Sequence, residues 1–292
     1  MNQIFQAPDD WQTRRIRILL LGAGGTGGEV SYALARIHML LVNLGHPGGL
    51  RVTLMDGDHV AAPNIGRQRF FPCDLSHNKA CVLIHRLNLG FGLDWRACQY
   101  HWAPPAPNAH PKTPMALADY DLVVSCVDRA SVRVALAHTG QTLSSAILWM
   151  DFGNGRYTGQ CILGHLGGAP LPSDSLRLPN VFDLYPELET VDDDAAPSCS
   201  SRQAIRQQDL FTNPLLAEAG VSLLWRLLHT GELDVHGVRV DAHGPSVSGI
   251  LIDPDLWAFY TGTPPAPTQH LRPRRRRRQR PRRPEAPARR QA

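Results

Sequence analysis

Lysine is nearly absent from this chain of 292 residues: Lys79 and Lys112 stand against 28 arginines. A compact ammonium charge is therefore used sparingly, and Lys79 becomes a candidate for a specific task. Six cysteines, at positions 73, 81, 98, 126, 161 and 199, form no close pair. That spacing excludes a disulfide framework and a tetrathiolate zinc site. No apolar run approaches the roughly eighteen to twenty residues needed to span a bilayer, so no membrane partner is expected. The first residues, with Asp9 and Asp10, lack the basic, apolar, small-residue progression of a secretory signal, and a cytoplasmic location is expected.

What is present begins with Ile16 to Leu21, an apolar run leading into Gly22-Ala23-Gly24-Gly25-Thr26-Gly27 and then a long helical pattern. Strand, glycine turn and helix make a nucleotide-binding unit. Glycine permits a positive φ in the turn, lets backbone approach phosphate, and allows helix to contact sheet. The helix start adds about half a positive charge. Taken alone the glycine pattern is weak, because tight turns after strands need glycine anyway. A second strand, Leu50 to Met55, ends in Asp56, whose carboxylate can accept both ribose hydroxyl protons. Asp58, Asn64, Arg67, Gln68 and Lys79 follow. A dinucleotide-binding dehydrogenase needs the ribose acid but not this set, and the two cations put positive charge where phosphate charge would develop.

The remaining order reads as strand 95–101, a Pro-rich connection from Ala103 to Pro114, strand 121–127, helix 129–141 and strand 145–152. Shorter strand-like runs follow at 158–166 and 235–252, with helical residues 201–229 between them. The expected fold class is α/β: a Rossmann-like, mainly parallel sheet with helices on both faces, extended by antiparallel strands in the C-terminal half.

Motif by motif, the chain resembles the ThiF/MoeB/HesA family, whose members adenylate the C-terminus of ubiquitin-like and sulfur-carrier proteins. Gly22, Gly24, Gly25 and Gly27 match its glycine turn, and Asp56 and Asp58 its paired acids. Asn64, Arg67-Gln68, Lys79 and the late Asp128 match the rest. Within the family the likeness is to the ThiF-related member of a plasmid cassette that also encodes a ParB-related protein (the PRTRC system), on Pro197-Ser198-Cys199-Ser200, Gln208-Asp209-Leu210-Phe211 and Asn213.

The resemblance implies ATP and magnesium as cofactors and an acyl adenylate plus pyrophosphate as products. Asp56 would hold the ribose, Asn64, Arg67 and Lys79 the phosphates, and Asp128 the metal, while Gln68 orders the loop. Cys199 is the candidate acceptor for a thioester or persulfide, Cys126 a core residue. No zinc is expected, in departure from relatives with two Cys-x-x-Cys pairs. The partner is expected to be a small ubiquitin-like, β-grasp carrier ending in glycine, and a homodimer is expected. Relatives place an arginine from the partner subunit's N-terminal helix over the phosphates, and here only Arg14 and Arg15 lie nearby. Residues 1–155 would form the nucleotide-binding adenylation half and 156–260 the carrier-binding half, with a crossover loop at about 189–200. Asp192, Asp193 and Asp194 read as a solvated stretch of that loop.

From Arg272 onward the chain carries 11 arginines and one acid, a net +10 against +4 for the whole, which leaves −6 for the rest. Residues 261–292 read as a disordered Arg/Pro-rich tail that could contact DNA or RNA. Two other functions remain open: an NAD-dependent oxidoreductase, or a non-catalytic nucleotide-fold scaffold with a nucleic-acid-binding tail.

Overall fold

The computed structural model describes residues 3–104, 116–171, 175–193 and 209–261. Eight strands form one sheet. Five of them, β2 (Ile16–Leu21), β3 (Leu50–Met55), β4 (Arg96–Cys98), β5 (Leu122–Ser125) and β6 (Ile147–Asn154), are mutually parallel in the order β6-β5-β2-β3-β4. Beyond β6 the sheet continues antiparallel through β7 (Thr158–Leu166), β9 (Val235–Asp241) and β10 (Ser246–Leu251). Two short strands, β1 (Phe5–Gln6) and β8 (Glu232–Leu233), pair antiparallel on their own. The expected fold class is thus the observed one, and the sheet runs unbroken through the β6–β7 hairpin.

Both faces are covered, as expected of strands that are apolar at successive positions rather than alternate ones. In β2, Ile16, Ile18 and Leu20 join one core cluster with α1 (Gly25–Asn43), α2 (Lys79–Phe91) and the later helix Thr212–Thr230. Leu19 and Leu21 enter the other, with Trp149, Trp102 and residues of α3 (Ala130–Gln141). A helical turn α4 (Val181–Leu184) precedes the Thr212–Thr230 helix, α5, and α6 (Pro254–Thr261) follows it.

Several expected boundaries shift. The strand read at 95–101 shrinks to Arg96–Cys98 on the sheet edge, where only one neighbour supplies hydrogen bonds. The strand read at 145–152 runs two residues later, because its pairing with β7 extends to Asn154 opposite Gly159. The run 235–252 is a hairpin rather than one strand. The helix read at 201–229 is described from Thr212 to Thr230, while 201–208 lie outside the described residues.

Candidate active site

Parallel strands end together, so the loops after β2, β3, β5 and β6 meet at one edge of the sheet. A cavity of about 1160 Å³ opens there. Gly22, Gly24, Gly25, Asp56, Asp58, Asn64, Arg67, Gln68, Lys79 and Asp128 all line it. Among the expected site residues Gly27 does not. A Cβ there would overlap the Gly22 carbonyl oxygen, so Gly27 closes the turn against its helix rather than facing a ligand. Gly22 adopts φ +91°, a left-handed conformation that favours glycine. Cys199 lies outside the described residues.

Asp56 is buried, and its carboxylate is held by backbone at both oxygens. Ala23 donates its N–H to one at 2.6 Å and Asp58 donates to the other at 2.8 Å. Each oxygen keeps a second acceptor site, which two vicinal hydroxyls can use. Lys79, the first residue of α2 and also buried, places Nζ 2.8 Å from Asp58 Oδ2. Burial opposes ionisation of Asp58, but Lys79, with help from His101 and His59, holds its carboxyl below the usual carboxylate range. His101 Nε2 lies 3.5 Å from the other Asp58 oxygen, in space that a Cβ on Gly57 would fill. Asp56, Asp58 and His101 could offer three ligand atoms within 4.8 Å of one another, but hydrogen bonds and the lysine already engage both acids.

Asn64 accepts the Ala61 N–H at 2.9 Å, and its carbonyl receives the N–H groups of Arg67 (3.3 Å) and Gln68 (2.9 Å). The side chain therefore fixes the start of the loop, and the backbone carbonyl fixes the turn that carries Arg67 and Gln68 into the cavity. Gln68 Oε1 is buried without a hydrogen bond among the described residues. Asp128 follows β5, is exposed within the cavity, and forms no ion pair among the described residues.

Four residues outside the expected set complete the site. Asn78 caps α2 by accepting the Cys81 N–H at 3.0 Å, worth about 1 kcal/mol to the helix, and its amide donates to the Asp56 and Asp58 carbonyls at 2.8 and 3.1 Å. An Asn directly before a helical run was a usable signal for that cap. Arg133, buried at the cavity wall, donates Nε to both Asp151 oxygens at 2.9 and 3.0 Å and Nη2 to the carbonyls of Val127 and Phe152, each at 2.9 Å. Asp151 also accepts from Ser125 Oγ, which accepts from Trp149 Nε1. The guanidinium thereby ties the ends of β5 and β6 together one residue before Asp128. Asn213, at the start of α5, reaches back to the glycine turn: Thr26 Oγ1 donates to its Oδ1 at 3.1 Å and Asn154 Nδ2 at 2.8 Å.

Asp193 departs from expectation, Arg14 and Arg15 are placed, and Cys126 packs with the core as expected. Asp193 is not simply solvated: its oxygens accept the N–H groups of Ala130 (2.7 Å) and Ser131 (3.1 Å), since an acid is drawn to the unpaired donors that begin α3. Although burial opposes its charge, those bonds hold its carboxyl below the usual range. Arg14, just ahead of β2, forks onto Asp121, just ahead of β5, at 2.7 and 2.9 Å, and Arg15 pairs with Asp94, so both are engaged by acids of their own chain at the sheet edge opposite the cavity. Cys126 packs against the core but remains partly exposed at the cavity wall, and burial with the Asp151 charge pushes its thiol well up, away from reactivity.

Among solved structures, PaaA matches with a TM-score of 0.53 at 12% identity over 81% of this chain and 64% of its own. Escherichia coli MccB with ATP matches at 0.52 and 14%, over 83% of this chain and 65% of its own. The microcin C7 biosynthetic enzyme MccB in complex with N-formylated MccA matches at 0.50 and 14%, over 83% and 66%. These likenesses show a shared fold, and the chain spans less than two thirds of the length of each. No curated protein matches by sequence. The family model described as ThiF family matches residues 2–206, and the chain belongs to that family.

Proposed function

We propose that the chain adenylates the C-terminal carboxylate of a polypeptide at the expense of ATP, and that the polypeptide is a small ubiquitin-like or sulfur-carrier protein ending in glycine. The observation that carries this reading is convergence: a ribose acid, a glycine turn at a helix start, two cations and an exposed carboxylate line one cavity. Apolar Met55 and Trp102, on the same wall, suit a nucleobase. A carboxylate oxygen would attack the α-phosphorus of ATP. The bond from that phosphorus to the bridging oxygen breaks, and pyrophosphate leaves with the electron pair. Such chemistry needs position and charge neutralisation rather than a nucleophilic side chain.

In this reading Asp56 holds the ribose hydroxyls, and the Asn64 loop presents Arg67 and Gln68 to the phosphates. Lys79 exchanges part of its contact with Asp58 for a phosphate oxygen. Magnesium suits Asp128, which offers a hard carboxylate oxygen to an ion shared with phosphates; bound there, it would neutralise charge on the departing pyrophosphate. The E. coli MccB structure with ATP and the MccB complex with N-formylated MccA support a nucleotide and a polypeptide substrate on this fold. Homodimerisation, a PRTRC assignment and nucleic-acid contact through the basic tail belong to the same proposal.

ATP–pyrophosphate exchange with ubiquitin-like candidates tests it. Exchange should depend on the carrier and fall by on the order of a hundredfold or more in Lys79→Ala and Asp128→Ala. ATP binding without exchange for any carrier would overturn the adenylation reading in favour of a scaffold.

A further inference from the structure

The helices α1 and α5 start side by side. A Cβ on Gly25, the first residue of α1, would overlap Asn213 Nδ2, and farther along Arg36 pairs with Glu218 at 2.7 Å. The two 19-residue helices therefore advance in the same direction from a common end. Parallel dipoles bring two partial positive charges together there, an unfavourable arrangement that an anion would relieve. Neither helix has a side-chain cap on its first turn.

Asn213 sits at that junction, 5% exposed and on the cavity wall. Its Oδ1 is committed to Thr26 and Asn154, which fixes the amide plane and turns Nδ2 toward Gly25. Among the described residues Nδ2 has no acceptor. Nδ2 is not walled off like a core atom, so its two unused donors, held against the start of a helix, are open to an oxygen acceptor in the cavity.

We infer that Asn213 Nδ2 is a ligand for the phosphate held at the glycine turn, delivered from the C-terminal half of the chain. This inference rests on the nucleotide reading above and adds to it a contact from α5. Phosphate, rather than the polypeptide's carboxylate, is the fitting occupant because Nδ2 adjoins Gly25 itself, whose backbone borders the phosphate position. Gly25 is glycine for a reason beyond turn geometry: any side chain there would evict the amide.

Asn213→Asp isolates the donor, because a carboxylate keeps both acceptor bonds to Thr26 and Asn154 while replacing N–H with a negative oxygen. Calorimetric titration of the full chain with ATP and with adenosine reads the effect. ATP affinity should fall on the order of tenfold or more, adenosine affinity should stay within about twofold, and the thermal midpoint should not drop. Asn213→Ser, which removes the amide without adding charge, should weaken ATP by about fivefold and serves if the aspartate variant does not fold. Unchanged ATP affinity in both variants would overturn the inference and leave the nucleotide reading standing. An equal loss of ATP and adenosine with a lowered midpoint would make Asn213 a tie between helices only. Failure of the wild-type chain to bind ATP would overturn both.

Discussion

The parallel and antiparallel parts of the sheet treat buried polar groups differently. In the parallel part, Asp56, Asn78 and Lys79 are buried at the cavity edge, bonded to backbone or to the half-exposed Asp58. On the antiparallel strands the buried polar groups sit deeper. His165 on β7 accepts the Leu178 N–H at 3.0 Å, and His236 on β9 is fully buried between the Leu163 carbonyl and Trp257 Nε1. Polar groups near water can exchange partners for a ligand at small cost. Those inside a sheet are bound to single arrangements, and losing one partner strands the other.

The largest expected effect falls where the two parts meet, at the buried pair on β6 and its preceding helix. Arg133→Leu strands the Asp151 carboxylate and should cost about 3–5 kcal/mol in denaturant unfolding, whereas Arg133→Leu with Asp151→Leu should recover much of the loss. A double variant no more stable than the single would show that the pair is not the source.

Acid should separate the two parts next. Burial pushes His165 and His236 down to about 4, against an ordinary value near 6.5. Both rings are then neutral in the folded chain over a range where the unfolded chain protonates them. Their contribution is complete above about pH 6.5 and lost as pH falls toward 4, on the order of 3 kcal/mol for each ring. Hydrogen exchange at pH 4.5 compared with pH 7 should show protection falling more in β7 and β9 than in β2 and β3. Equal loss in both would remove the distinction.

The smallest effect sharpens the comparison from the other side. Lys79→Ala, though expected to abolish exchange, removes an ion pair whose acid is 54% exposed in its side chain, and should cost only about 1 kcal/mol or less of stability. A loss above about 3 kcal/mol would place Lys79 with the structural pairs.

What was legible in the sequence follows the same division. Strands 16–21, 50–55 and 158–166 were read at their observed limits, because each is a local strand-like run bounded by turn residues. The residues from Gly22 to Lys79 and Asp128 could be gathered because their order in the chain matches one loop after another at the same sheet edge. Arg133 and Asp151 could not, since their meeting depends on how α3 packs back against β6, which no short spacing records. Asp193 looked like a loop acid because the helix end it caps lies 63 residues earlier. Asn213 was visible as part of a phrase, but its contact with Thr26 spans 187 residues.

The small β1–β8 pair has a temporal meaning. Phe5 pairs with Leu233, and the Ala7 N–H donates to the Gly231 carbonyl at 2.9 Å. As the chain leaves the ribosome, β1 must wait for more than two hundred residues before its partner exists. That clasp can only be fastened after the strands from β2 to β7 have been made, so β1 is a late witness to folding. A reporter placed at Phe5 would register completion rather than initiation.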